Sequence, residues 1–192
     1  MAVTGIETRL GGLWRAKQAA AGTATAPNHA SVRAVHKAGD DGLKANKVLG
    51  REEYVDGRFW SGATEYIESS GGDVGSIEQQ ATIVEAAHSF AQLFASDTVT
   101  GASDPYTHTI VSGSVVPQNQ TFWQKLGSAV GPIRQRWYDA KTKKHSWNNG
   151  QSQKVAHITE DIMALNAAQV FATDPTATVD TADPLNWNKA VT

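Results

Sequence analysis

No cysteine occurs in the 192 residues, so disulfides, thiolate metal sites and cysteine nucleophiles are excluded at the outset. Charge is scarce as well: 19% of residues are charged and the net charge is −2. Tight duplex nucleic-acid binding needs a concentrated basic face. The one basic cluster, Lys141, Lys143, Lys144 and His145, is too short to make one. No apolar run approaches the roughly 20 residues that span a bilayer, and "MAVTGIETRLGG" lacks the apolar stretch of a secretory signal. The expectation is a chain made and used in the cytoplasm, or exported only inside an assembly or after lysis. Catalytic signatures are missing too: there is no H-E-x-x-H, nucleophile elbow, phosphate loop or dinucleotide glycine fingerprint.

A hydrophobic content of 40% is enough for a core, and the length suits one domain, or one domain with long arms. The weakly charged surface must be covered largely by Ser, Thr, Gln, Asn, Ala and Gly, a composition common where much of it is buried against other subunits.

Patterning divides the chain into an extended N-terminal arm over 1–31, a β-rich domain over 32–171 and an extended C-terminal arm over 172–192. "LWRAKQAAAGTATAPNHAS" offers one short helical turn around Ala16 to Ala20 before Gly22 and Pro27 break it. "SVRAVHKAG" alternates as a strand, and "AGDDGLKANKVLG" reads as a loop. "REEYVDGRFWSG" predicts a strand pair turning at Asp56-Gly57, where glycine takes positive φ without strain. After the alternating "GSIEQQAT" comes the one marked helix, about 83–95. Thr82 and Glu85 form a capping-box pair, and Ile83, Ala87, Phe90, Ala91 and Phe94 recur at helical spacing as one apolar face. The second half is mostly strands: "YTHTIVSG", "QTFWQKLG", "PIRQRWYDAKTKKHSW" and "SQKVAHITEDIMAL". The tail carries two Asp-Pro steps and few apolar anchors, as a segment does that is extended or ordered only by a partner.

Candidate chemistry is thin. The histidines, at 29, 36, 88, 108, 145 and 157, never fall at i, i+2 or i, i+4 to chelate a metal. Asp104, Tyr106 and His108 lie within five positions. Asp104 before Pro105 is a turn former, and His108, mid-strand and without an orienting partner, takes a structural role. Glu85 and His88 are expected to pair on the helix surface. Glu52, Glu53, Asp56 and Glu65 match no calcium loop and read as a solvated acidic edge. Of the six tryptophans, Trp123 and Trp137 suit core packing, while Trp14 and Trp187 suit subunit interfaces; Trp60 and Trp147 fall beside polar stretches. No catalytic, cofactor-binding or metal-binding residue is assigned. A hydrolase or sugar-binding module using Asp104, His108 and exposed tryptophans is the alternative of a different class.

An ordered set of segments resembles the tail tube proteins of long-tailed bacteriophages: "GGLWRAKQAAAGTATAP", "VLGREEYVDGRFW", "GSIEQQATIVEAAHSFAQLFAS", "DPYTHTI", "FWQKLG", "IRQRWYDAKTKKHSW" and "KVAHITEDIMAL". The likeness spans roughly residues 9 to 175, and its weight lies in the order of the pieces. It implies a β-sandwich or partly open β-barrel flanked by one helix. Six copies would form a ring, and stacked rings a tube that conducts DNA without binding it specifically. The implied partners are further copies of the chain and other tail proteins, such as tape measure, terminator and distal tail proteins, in the virion and with no membrane. A neck, terminator or distal tail connector of similar fold is the alternative role. Ring-to-ring contacts are expected in residues 1–31 and 172–192 and in the segment from Gly39 to Gly62.

Overall fold

Leu13, Phe122, Trp137, Ile77 and Ile162, each at most 3% exposed, draw five strands around one apolar cluster. The computed structural model describes residues 10–35, 43–44, 47–55, 61–70, 72–102, 107–112, 117–127, 132–148, 155–165, 169–183 and 185. Strands β1 (Leu10–Lys17), β2 (Arg33–Ala34), β5 (Gly72–Gln80), β8 (Gln120–Leu126), β9 (Ile133–Asn148) and β10 (His157–Ala164) form one antiparallel sheet in the order β2-β1-β8-β9-β10-β5. A short β11 (Gln169–Val170) adds to β9 as the seventh strand. Two further pairs stand apart: β3 (Lys47–Val55) with β4 (Ser61–Ser70), and β6 (Thr98–Thr100) with β7 (Thr107–Thr109). The single helix among the described residues is α1 (Ile83–Phe94). The protein is therefore mainly β with one flanking helix, and its large sheet is open, not closed into a barrel.

Alternation explains the sheet. In β10, Ile158, Glu160, Ile162 and Ala164 point inward while His157, Thr159, Asp161 and Met163 do not, the two-residue period of a strand with one buried face. Strand β9 carries two extra residues. One lies near Asp139 against β8 and one near Lys143 against β10, and each bulge bends the long strand. Asp139 adopts φ 51, a left-handed conformation unusual outside glycine.

The N-terminal arm and its short helical turn are corrected. Residues 10–17 are β1, an interior strand between β2 and β8. Gly12 is required there because the Trp14 indole lies where its Cβ would be. Residues 18–32 then lie against the sheet without regular structure. Gln18 clamps the β9 bulge, its Oε1 accepting from Asp139 N at 2.8 Å and its Nε2 donating to Asp139 Oδ1 at 2.8 Å. Gly22 N donates to the same carboxylate, and Val32 packs on Ala16 and Trp123. The C-terminal segment is extended, as expected, but this same chain orders it. Thr176 N donates to Pro27 O, Thr178 N to Val32 O, and Leu185 N to Ala81 O. Trp14, expected at a subunit interface, is half-buried against this cluster.

The strand pair around Asp56-Gly57 is present as β3–β4, with the turn itself outside the described residues. Strand β3 begins at Lys47, inside the segment expected to be a loop. Of the strand expected over 106–111, β7 is present over Thr107–Thr109 and ends before Ile110; among the described residues it pairs with β6 alone. Residues 1–9 and 186–192, with Trp187, lie outside the described residues, as do His36, Asp56, Trp60, Asp104 and Tyr106.

Candidate functional site

Helix α1 sits over the sheet in an unexpected orientation. The apolar face formed by Ile83, Ala87, Phe90, Ala91 and Phe94 is not the inward one; Glu85, Ala86, Ser89 and Gln92 face inward. Ile83 is 68% exposed. What turns the helix is an arginine. Arg15 of β1, 1% exposed, donates through Nη2 to Glu85 Oε2 at 2.6 Å and through Nη1 to Glu160 Oε1 at 2.7 Å. Ser89 Oγ and Gln79 Nε2 also donate to Glu160 Oε1, at 2.6 and 3.0 Å, and Thr142 Oγ1 donates to Glu160 Oε2 at 3.0 Å. Arg33 Nε lies 3.6 Å from Glu85 Oε1, so two guanidinium groups balance two carboxylates.

The electrostatics follow from this packing. Burial alone would raise the Glu160 carboxyl, but the Arg15 charge and the hydrogen bonds from Ser89 and Arg15 outweigh it and hold the group below its usual range. Burial pulls the Arg15 guanidinium down, and Glu160 and Glu85 overcome that and raise it. His88 is pushed well below its ordinary value of 6.5, first by burial and then by the charges of Arg15, Arg33 and Lys17. The imidazole is therefore neutral at neutral pH. His145 is lowered by burial, against an opposing pull from Glu160.

The expected surface pair of Glu85 and His88 is thus replaced. Glu85 is fully buried on Arg15, and His88 Nε2 is buried without a hydrogen-bond partner. The capping box is only half made for the same reason. Thr82 Oγ1 accepts from Glu85 N at 3.0 Å, while the Glu85 carboxylate goes to the arginine.

Beside the outward face of α1 runs a groove of about 570 Å³. Ile83, Ala87 and Ala91 form its helix wall, with Lys17 and Arg33 opposite. A second groove of about 300 Å³ adjoins it, sharing Lys17 and Ser31. At the far end of the larger groove His108 has an orienting partner after all: its Nδ1 lies 3.0 Å from both carboxylate oxygens of Asp97. Among the described residues no hydroxyl is hydrogen-bonded to the imidazole. Asp104 lies outside the described residues, as does the side chain of every member of the acidic set Glu52, Glu53, Asp56 and Glu65. Among the described residues no three acids or histidines converge as a metal site.

Several other aromatic and basic side chains take packing or pairing roles. Trp123 and Trp137 are fully buried, as expected. Trp147 stacks on Phe90 with ring centroids 5.8 Å apart, and His145 meets Phe90 edge-on at 4.9 Å. Lys143 is ion-paired with Asp73. Arg15, Ser89, Gln79 and Thr142 escaped sequence reasoning. The usable signal was Glu160, an acid occupying an inward slot in a row otherwise made of Ile158, Ile162 and Ala164.

No protein-family model matches the chain, and no curated protein matches it. Class and role therefore rest on the fold and the site.

Proposed function

We propose that the chain is a structural virion protein, a tail tube subunit that acts by self-assembly and carries no active site. The observation that carries this reading is the supply of open strand edges. Strand β5 ends the large sheet, and among the described residues its outer edge receives one backbone hydrogen bond, from Lys44 N to Val74 O. The β3–β4 hairpin pairs with no other described strand. Exposed edges of this length are normally blunted because they recruit other chains, and a head-to-tail contact that closes makes a ring. The ordered resemblance to tail tube proteins supports the same role, with rings stacking into a conduit through which DNA passes unbound. Tape measure, terminator and distal tail proteins are the further partners, and the virion tail is the site of action.

Electron microscopy of the concentrated protein tests this: hexameric rings and stacked tubes are the expected outcome, and a chain that stays monomeric at millimolar concentration sinks the reading. A neck, terminator or distal connector differs in copy number, one ring per particle in place of many.

A further inference from the structure

The two ends of the large sheet are finished differently. At β5 the outer edge is open but for one backbone bond among the described residues. At β2 the outer edge is covered by a strap from the C-terminal segment, residues 174–183. Thr178 N donates to Val32 O at 2.9 Å, and Ala34 N donates back to Thr178 O at 3.1 Å. This bridge between Arg33 and Thr178 is parallel, whereas every strand pair among the described residues is antiparallel.

Little else holds the strap. Pro175 is its one buried residue, Ala177 packs only partly on Val32 and Trp123, and Val179 is 57% exposed. Thr176 N donates to Pro27 O. The side-chain anchors sit towards the two ends. Asp174 accepts from Lys125 Nζ at 2.6 Å and from Arg134 Nε at 2.7 Å, and Asp180 accepts from Thr82 Oγ1. Asp174 is more than a third exposed, where ion pairs contribute little. A segment with so little buried apolar surface opens locally at a fraction of the global unfolding free energy. Opening leaves the main sheet whole and bares Val32 O and Ala34 N, the kind of free edge that recruits another chain.

Strand β5 of a second copy fits that edge. Along the order β2-β1-β8-β9-β10-β5 each strand is antiparallel to its neighbour, so β2 and β5 run in opposite directions. A second copy, rotated about an axis along the strands, sets its β5 antiparallel to β2, and the alternation continues across the joint. Antiparallel pairing is the stabler form per residue, so the exchange replaces one parallel bridge with a better ladder.

We propose that residues 174–183 guard the β2 edge against premature joining and give way when β5 of a second copy pairs there. The proposal rests on the self-assembly reading and adds what holds assembly back. Only the open form is competent to join, so the apparent affinity between copies is reduced by the fraction that is open.

Locking the strap tests this on the full chain. The chain has no cysteine, so Arg33→Cys with Thr178→Cys allows a single disulfide. The two residues face each other across the bridge. Neighbouring strands lie about 4.7–4.9 Å apart, inside the roughly 4.4–6.8 Å that a disulfide accepts between Cα atoms. Sedimentation velocity should show assembly abolished in the oxidised variant and restored by dithiothreitol, with circular dichroism showing one fold in both. Asp174→Asn, which frees one end of the strap, should lower the concentration at which assembly begins about twofold to fivefold, the weight of an exposed ion pair. Native-state hydrogen exchange adds a readout that needs no assembly. The amides of Ala34 and Thr178 should exchange through a separate opening, ahead of those in β9 and β10, and faster in Asp174→Asn. A locked variant that assembles as readily as its reduced form overturns the guard and leaves self-assembly standing. Ala34 and Thr178 amides that exchange only with the core overturn it whether or not the chain assembles. Amides that open separately, in a protein where neither wild type nor Asp174→Asn assembles, overturn the self-assembly reading and the guard's role with it.

Discussion

Arg15 has two carboxylates, Glu85 and Glu160, in contact with a guanidinium that water cannot reach. Removing three charges from water is expensive, and the cluster repays it only because Ser89, Gln79 and Thr142 satisfy the remaining lone pairs of Glu160. Such a cluster adds little net stability over an apolar core but is intolerant of partial loss. Arg15→Met should therefore cost about 3–5 kcal/mol, because it strands two buried carboxylates. Adding Glu85→Gln and Glu160→Gln to that variant should recover much of the loss, since neutral amides need no counter-charge. Urea unfolding of the single and triple variants measures both effects. A single variant within about 1 kcal/mol of wild type, the scale of one ordinary hydrogen bond, would show that the cluster does not hold the helix.

At the scale of the element, α1 shows what a sequence discloses and what it withholds. Its bounds were legible, because Thr82 with Glu85 marks the start and the apolar period fills the next three turns. Its orientation was not. Periodicity finds the apolar stripe, yet the inward side is chosen by Arg15 and Glu160, which lie 70 or more residues from Glu85 and Ser89 in the chain and reach the helix only through the sheet. Strands β8, β9 and β10 were likewise legible from their strand-forming residues, while β1 was hidden by Gly11 and Gly12, of which Gly12 is there to admit the Trp14 ring. Of the candidate site, His108 was visible but its partner Asp97 was not, since the two meet only through pairing of β6 and β7. Thr82 carries a double duty in this element: its Oγ1 accepts from Glu85 N and donates to Asp180 of the C-terminal segment. Thr82→Ala should cost about 1–2 kcal/mol, the upper part of the range for a lost N-cap. It should also increase proteolytic cleavage after residue 180, because the tail loses an anchor to the helix. A cap substitution that lowers stability without exposing the tail would separate the two roles.

For the whole molecule, the buried His88 and Glu160 act in the same direction on stability. His88 is held below 6.5 by burial and by nearby positive charge, so the unfolded chain takes up the proton first. Its contribution to stability is complete above 6.5 and is lost as pH falls below that value. Glu160 is held below its ordinary 4.5. The stability it lends is present above 4.5 and is lost as pH falls through its lower folded value. Acid therefore weakens the fold in two successive windows, the first set by histidine and the second by the carboxylate on Arg15. Thermal melting across pH should thus show a midpoint that is flat above about pH 7, declines through the histidine range and falls more steeply below the carboxylate range. His88→Gln should flatten the upper decline, leaving the residue contributed by His145, whose imidazole is also lowered by burial. An unchanged decline in that variant would place the upper proton uptake elsewhere.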